Sequence, residues 1–318
     1  RFGDYIRWLD GQPQAQLEAF WSSKLGALEG PTLLADNIAP KPSGELTGHA
    51  ALYLHWDAQR TEYLRERAQR LRVTPNTLVQ ATWLLLLQRY TGQDCVAFGA
   101  TVAGRSAPLP GIEQQLGLFI NTLPVVAAPR PDMPVSDWLQ LVQERNLALR
   151  DFEHTPLYDV QRWAGQSGEA LFDNILVFEN YPIAEALQQG GSQALRFGEV
   201  ANFEQTNYPL TLSVMLGEQL SVQFSYNRQQ FDGAVIAQLA ACFGQLLQQM
   251  VQAPAERCLG ELTLTPVAVR APQDVSRRVA FVSQIENITI QPGEPPARAA
   301  DRPTAIFMRQ LPPRAMRK

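Results

Sequence analysis

The chain has 318 residues, 45% of them hydrophobic and 18% charged, a balance that gives a folded body and excludes disorder over most of its length. Its net charge of −4 and pI near 5.5 exclude nucleic acid as the main partner of the whole chain. The three cysteines, Cys95, Cys242 and Cys258, are too few and too scattered for a disulfide framework or a zinc site.

No run approaches the roughly 18 apolar residues of a membrane span, and a reducing, cytoplasmic setting is the simplest expectation. The chain opens on Arg1 with no signal peptide, which reads as a fragment. Charge is unevenly placed. Residues 267–318 carry nine Lys/Arg against four Asp/Glu and seven prolines, while residues 1–266 hold 18 basic and 27 acidic side chains. Residues 1–266 are therefore expected to form the folded body and 267–318 an Arg/Pro-rich, disordered extension. Within that extension Val279 to Ile290 has β-forming residues but no partner nearby.

Taken in chain order, the body alternates helix and strand patterns. Gln14 to Gly26 places Leu17, Phe20, Trp21, Leu25 and Leu28 on one helical face. His49 to Trp56 alternates as a half-buried strand, with Leu52, Leu54 and Trp56 facing one way. Thr74-Pro75 is a helix start, with Thr74 as N-cap and Pro75 where its missing N–H costs nothing. That helix runs to Tyr90, stops near Gly92, and is apolar nearly all round, so it should be central. Cys95–Val102 and Leu118–Val126 read as buried strands, Val135–Arg150 and Leu157–Trp163 as helices, and Phe172–Phe178 as a strand. Leu210–Leu216 and Leu220–Tyr226 flank Gly217-Glu218-Gln219 as a hairpin. Asp232 caps a last helix to about Gln252. The sum is an α/β layered fold.

Spacing alone yields little chemistry. His49 and His55 share a strand with no nucleophile beside them. His154, in His-Thr-Pro-Leu-Tyr-Asp, could be oriented by Asp159, yet Thr155-Pro156 also reads as a helix entry. No nucleophile elbow, Walker loop or dinucleotide fingerprint occurs, and no His, Cys, Asp and Glu cluster suggests a metal.

Five strings carry more. They are Tyr5-Ile6-Arg7-Trp8-Leu9; Val102-Ala103-Gly104-Arg105; Leu116-Gly117-Leu118-Phe119-Ile120-Asn121-Thr122-Leu123-Pro124; His154 to Gln161; and Asn174 to Pro182. In order and spacing they resemble the later motifs of condensation domains of nonribosomal peptide synthetases, in the chloramphenicol-acetyltransferase-like superfamily. The resemblance covers roughly residues 1–265, and the strings around His154 and Phe178 look most like the subtype joining an L-configured donor to an L-acceptor.

The resemblance implies a V of two lobes with a tunnel between them. There an acceptor amine attacks a donor thioester, each delivered on the phosphopantetheine arm of a peptidyl or aminoacyl carrier domain. No cofactor would be bound by the domain itself, and an adenylation domain would neighbour it. The family's His-His-x-x-x-Asp-Gly motif is absent from this sequence. The chain would then be the second lobe, starting just downstream of its catalytic histidine, with the upstream lobe as partner and no catalytic residue of its own.

Arg105 matches the family arginine that pairs with the Asp of that motif and supports the active site; a strand-end surface arginine is the plainer alternative. Asn121 matches a tunnel asparagine that donates to a developing oxyanion or holds the acceptor. It could equally satisfy backbone groups between strands. Glu179 and Asn180 are weaker tunnel-lining candidates, and contacts from Asn207-Tyr208-Pro209 are unranked. Gly104 and Gly117 are backbone requirements. The alternatives to an enzyme part are a carrier-docking lobe without chemistry and the remnant of a disrupted synthetase gene, the latter suggested by the composition change near residue 265.

Overall fold

The helix start at Thr74-Pro75 sets the centre of the molecule. In the computed structural model, which describes residues 2–38, 42, 46–165, 170–179, 206–264, 281–282 and 289–292, Thr74 Oγ1 accepts from Thr77 N at 3.1 Å. Helix α5 (Pro75–Thr91) then runs to Gly92, whose φ of 70° ends it in the left-handed conformation that favours glycine. All residues from Thr77 to Leu87 are buried, as an all-round apolar helix requires.

Seven further helices are described: α1 (Phe2–Asp10), α2 (Gln14–Leu25), α3 (Leu34–Asn37), α4 (Ala58–Arg70), α6 (Val135–Leu149), α7 (Leu157–Trp163) and α8 (Gly233–Gln252). In α8 Asp232 Oδ1 accepts from Ala234 N at 2.8 Å, the expected cap. This helix is long and apolar enough to cross a membrane by length and composition, but 72% of that window is buried inside the protein. It is a core helix here, packed on α5.

The strands are β1 (His49–Trp56), β2 (Val96–Val102), β3 (Asn121–Ala127), β4 (Asn174–Glu179), β5 (Leu210–Leu216) and β6 (Leu220–Asn227). Two short ones, β7 (Phe281–Val282) and β8 (Thr289–Pro292), follow. They form one sheet in the order β3-β2-β4-β5-β6-β1-β8-β7. The β5–β6 hairpin pairs Leu216 with Leu220 and Leu210 with Tyr226, as the turn between them predicts. β4 is parallel to both β2 and β5, and β3 is antiparallel to β2. β1 and β6 alternate buried and part-exposed positions, so one face of that half is open; the middle of the sheet reads as continuous buried runs.

Three differences from the sequence-based expectation have physical causes. β3 begins at Asn121, not Leu118, and Leu118 and Ile120 are exposed. α4 is not visible as an amphipathic helix because only Thr61, Leu64 and Ala68 of its thirteen residues are buried. The Val279–Ile290 stretch does meet a partner: β8 pairs antiparallel with β1, Leu54 opposite Ile290, across a separation no local pattern reveals. At the far edge, β3 carries Pro124 and gives its Val126 carbonyl to Arg145 Nη1, two devices that blunt an edge strand.

Behind the sheet a buried polar chain ties three elements. Trp83 Nε1 donates to Asn174 Oδ1 at 2.9 Å, Asn174 Nδ2 donates to Asp173 Oδ1 at 2.9 Å, and Asp173 Oδ2 accepts from Ala35 N at 2.7 Å. This joins α5, β4 and α3, and burial pushes the Asp173 carboxyl above the usual carboxylate range despite those bonds.

Candidate functional site

Because β2, β4 and β5 run parallel, their carboxyl ends share one edge of the sheet, with the start of antiparallel β3 beside them. In mixed and parallel sheets that edge is where ligand-facing groups collect. Here it gathers residues from all five strings.

The loop 103–120 rises from β2 and returns to β3. Gly104 (φ +65°) makes the first turn; a Cβ there would lie 1.8 Å from the Phe119 carbonyl oxygen, so the position admits only glycine. Arg105 then folds back into the loop. Its Nη1 donates to Ile112 O at 2.5 Å and Gln115 O at 3.1 Å, and the guanidinium lies 4.4 Å from the Phe119 ring centroid. Arg105 is thus more than a strand-end surface arginine: it pins the loop. Among the described residues it has no carboxylate partner.

Asn121 sits where the loop re-enters the sheet. Its Nδ2 donates to Glu153 O at 2.9 Å and Thr155 O at 2.7 Å, while its Oδ1 accepts from Thr122 N at 2.9 Å. Both amide protons are spent on the turn that precedes α7, so the backbone-holding role is the one the geometry displays. Asn121→Ala should cost about 1–3 kcal/mol by stranding two carbonyls. Asn121→Asp should cost more, since a carboxylate would face them. Urea unfolding measures both, and an Asp variant as stable as wild type would show that the turn does not depend on this clamp.

Within that turn His154 packs edge-on against Trp8, ring centroids 4.7 Å apart, and its buried Nε2 has no hydrogen-bond partner among the described residues. Burial pushes the imidazole below its usual pKa, so it stands neutral at pH 7. Asp159 does not orient it; that carboxylate pairs with Arg162 at 3.0 Å. Thr155-Pro156 is a helix entry, with α7 starting at Leu157 and Thr155 Oγ1 donating to Phe152 O at 2.9 Å. Tyr158 is exposed.

Glu153 belongs to the site although no sequence pattern singles it out. Burial raises its carboxyl above the usual range, partly offset by a hydrogen bond from Ser106 and by Arg150. Burial and the Glu153 charge in turn raise Tyr5. Glu153 and Ser106 share no motif and meet only through the loop, so no local signal could have found them.

Glu179 ends β4 at the same edge, opposite Met215 of β5, while Asn180 lies outside the described residues. Asn207-Tyr208-Pro209 is not brought to this rim. It precedes β5 at the opposite edge, where Tyr208 stacks on Phe172 (5.8 Å) and burial pushes its hydroxyl up to about 12. A cleft of about 400 Å³ also lies at that opposite edge, lined by Leu33, Ala35, Asp36, Asp173, Pro209 and two glutamines, well away from Arg105 and Asn121.

Comparison with known proteins places these features. Residues 1–270 match the family model described as "Condensation domain". Two subunits of the linear gramicidin synthase of Brevibacillus parabrevis are each 37% identical, over 90% and 84% of the chain. A mycosubtilin synthase chain of Bacillus subtilis is 36% identical over 79%. The chain spans only 4% and 5% of the two gramicidin subunits and 10% of the mycosubtilin one. The match to the first of these subunits covers 90% of the chain and so runs past residue 267, whereas the family model ends at residue 270.

Among solved structures, the complex of the X-domain and OxyB from teicoplanin biosynthesis matches with TM-score 0.66 at 20% identity. It covers 83% of this chain and 60% of that one. The first condensation domain of the calcium-dependent antibiotic synthetase matches with TM-score 0.62 at 18% identity, over 82% and 58%. At those identities the likeness establishes the fold.

Proposed function

The chain belongs to the condensation-domain family of nonribosomal peptide synthetases, and from that premise we propose that it is the acceptor-side second lobe of a peptide-bond-forming domain. The observation that carries this reading is the rim: α1, the 103–120 loop, the start of β3 and the turn before α7 converge there, with Arg105 and Asn121 fixing the two turns. Support for a missing upstream lobe comes from the surface beside it. Ile6, Leu116, Leu118 and Ile120 are 42%, 95%, 56% and 48% exposed, an apolar face of the kind that marks an interaction site. The chain also spans just over half of a solved condensation domain.

In the completed domain an acceptor amine attacks the donor thioester carbonyl, the C–N bond forms, the C–S bond breaks, and the amine proton leaves to the departing thiolate or solvent. A thioester is already activated, so positioning two carrier-bound reactants supplies much of the rate. The phosphopantetheine arms belong to the carriers, which with the upstream lobe and an adenylation domain are the proposed partners, in the cytoplasm. Arg105 supports the histidine loop of the upstream lobe. Asn121 acts in the tunnel wall by holding residues 153–155, and Glu179 lines its end, a role that resemblance also gives to Asn180. The L-to-L subtype is part of the proposal, supported by the strings around His154 and Phe178.

The test is amide formation between loaded donor and acceptor carrier domains, read by mass spectrometry of the product. The domain with its upstream lobe should make the amide, this chain alone should not, and Arg105→Ala in the full domain should slow it about a hundredfold, the scale of a small misplacement of reacting groups. A complete domain that binds carriers yet forms no product would leave a docking module.

A further inference from the structure

Among the described residues the buried apolar side chains fall into two separate clusters. The main core runs through α5, α8 and the sheet, and among the described residues no α1 side chain belongs to it or packs against it. Tyr5, Ile112 and Phe119 are instead buried in a satellite, with Phe2 and Trp8 packed on it. Phe2 meets Phe119 edge-on at 5.3 Å, and Tyr5 lies 4.8 Å from the same ring. Gly117 lets the two pieces touch closely, since a Cβ there would come within 2.2 Å of the Phe2 ring.

Among the described residues the satellite's attachments to the body are few and lie in the turn before α7. Trp8 rests on His154, Ser106 Oγ lies 3.1 Å from Arg150 O and also meets the Glu153 carboxyl, and Tyr5 feels the Glu153 charge. The Arg105 bonds run within the loop and stiffen it without tying it down. The boundaries are hinge-like, with Gly104 at positive φ on one side and Gly11-Gln12-Pro13 between α1 and α2 on the other.

We infer that α1 and the 103–120 loop open and close together as a flap over the rim, independently of the main core. α1 has nine residues, fewer than the roughly 12–15 an isolated helix needs to persist in water. When Phe119 leaves, α1 keeps only the edge contact of Trp8 with His154, too little to hold a nine-residue helix, so helix and loop share one opening event. The flap moves whether or not the chain takes part in peptide-bond formation, so its test stands apart from that reading.

Hydrogen exchange followed by mass spectrometry on the full chain decides it. Amides of residues 2–10 and 105–120 should exchange at a common opening rate, about a hundredfold faster than those of β5 and β6. Phe119→Ala should accelerate both segments by the same factor, about tenfold or more, leaving β5 and β6 unchanged; Trp8→Phe serves as a milder variant that keeps the satellite filled. Segments that respond by different factors would overturn the flap, as would an α1 that exchanges only with the sheet.

Discussion

Trp83→Ala should come close to unfolding the protein. The indole is fully buried, packs edge-on against Phe243 at 6.2 Å, and sits midway along a helix whose neighbours are buried on every side. Truncating a buried tryptophan costs about 3–5 kcal/mol, because the surroundings collapse only partly into the space. Here a second term adds to it. The Asn174 side-chain oxygen, itself inaccessible, loses its donor, which costs about 1–3 kcal/mol more. Together these approach the roughly 5–15 kcal/mol of a whole domain.

Trp83→Phe separates the two terms. It removes the donor and leaves a much smaller space than alanine would, so its cost should be the second term plus a small part of the first. Urea unfolding followed by far-ultraviolet circular dichroism measures both. A Trp83→Ala protein within about 1 kcal/mol of wild type would mean that this helix is not the centre of the core.

The same helix shows why parts of the fold are legible in the sequence. Thr74, Pro75 and Gly92 act through their own backbone geometry, and Leu52, Leu54 and Trp56 through a period of two, so each signal is local and complete. α4 hides because its buried set is Thr61, Leu64 and Ala68, which spell no apolar stripe. The rim hides more thoroughly. Asn121 reaches Glu153 and Thr155 across 32 and 34 positions by side-chain-to-backbone bonds, and a carbonyl has no residue type to recognise. The strings single out Arg105 and Asn121 through resemblance; their partners emerge only from the fold. Arg105 illustrates the limit. Resemblance gives it a carboxylate partner in another lobe, whereas within this chain its partners are two loop carbonyls and a ring.

Gly104→Ala should do the most damage at that rim. Two costs meet at this position. An alanine at φ +65° gives up about 1–2 kcal/mol to the clash between Cβ and backbone that disfavours left-handed conformations. Gly111 has φ +70° with nothing within 4 Å of where a Cβ would stand, so Gly111→Ala isolates that first cost. At Gly104 the new methyl would also stand 1.8 Å from the Phe119 carbonyl oxygen and 2.7 Å from its carbon. These are backbone atoms and cannot rotate aside, so either the loop or the end of β2 must move. Movement of Phe119 takes with it the ring under Arg105 and the surface on which Phe2 and Tyr5 rest. The Gly104 variant should therefore lose at least about 2 kcal/mol more than the Gly111 variant, with the loss showing first in α1 and the loop. Equal stabilities for the two variants, compared by urea unfolding, would mean that the close approach of Gly104 to Phe119 does not hold the rim together.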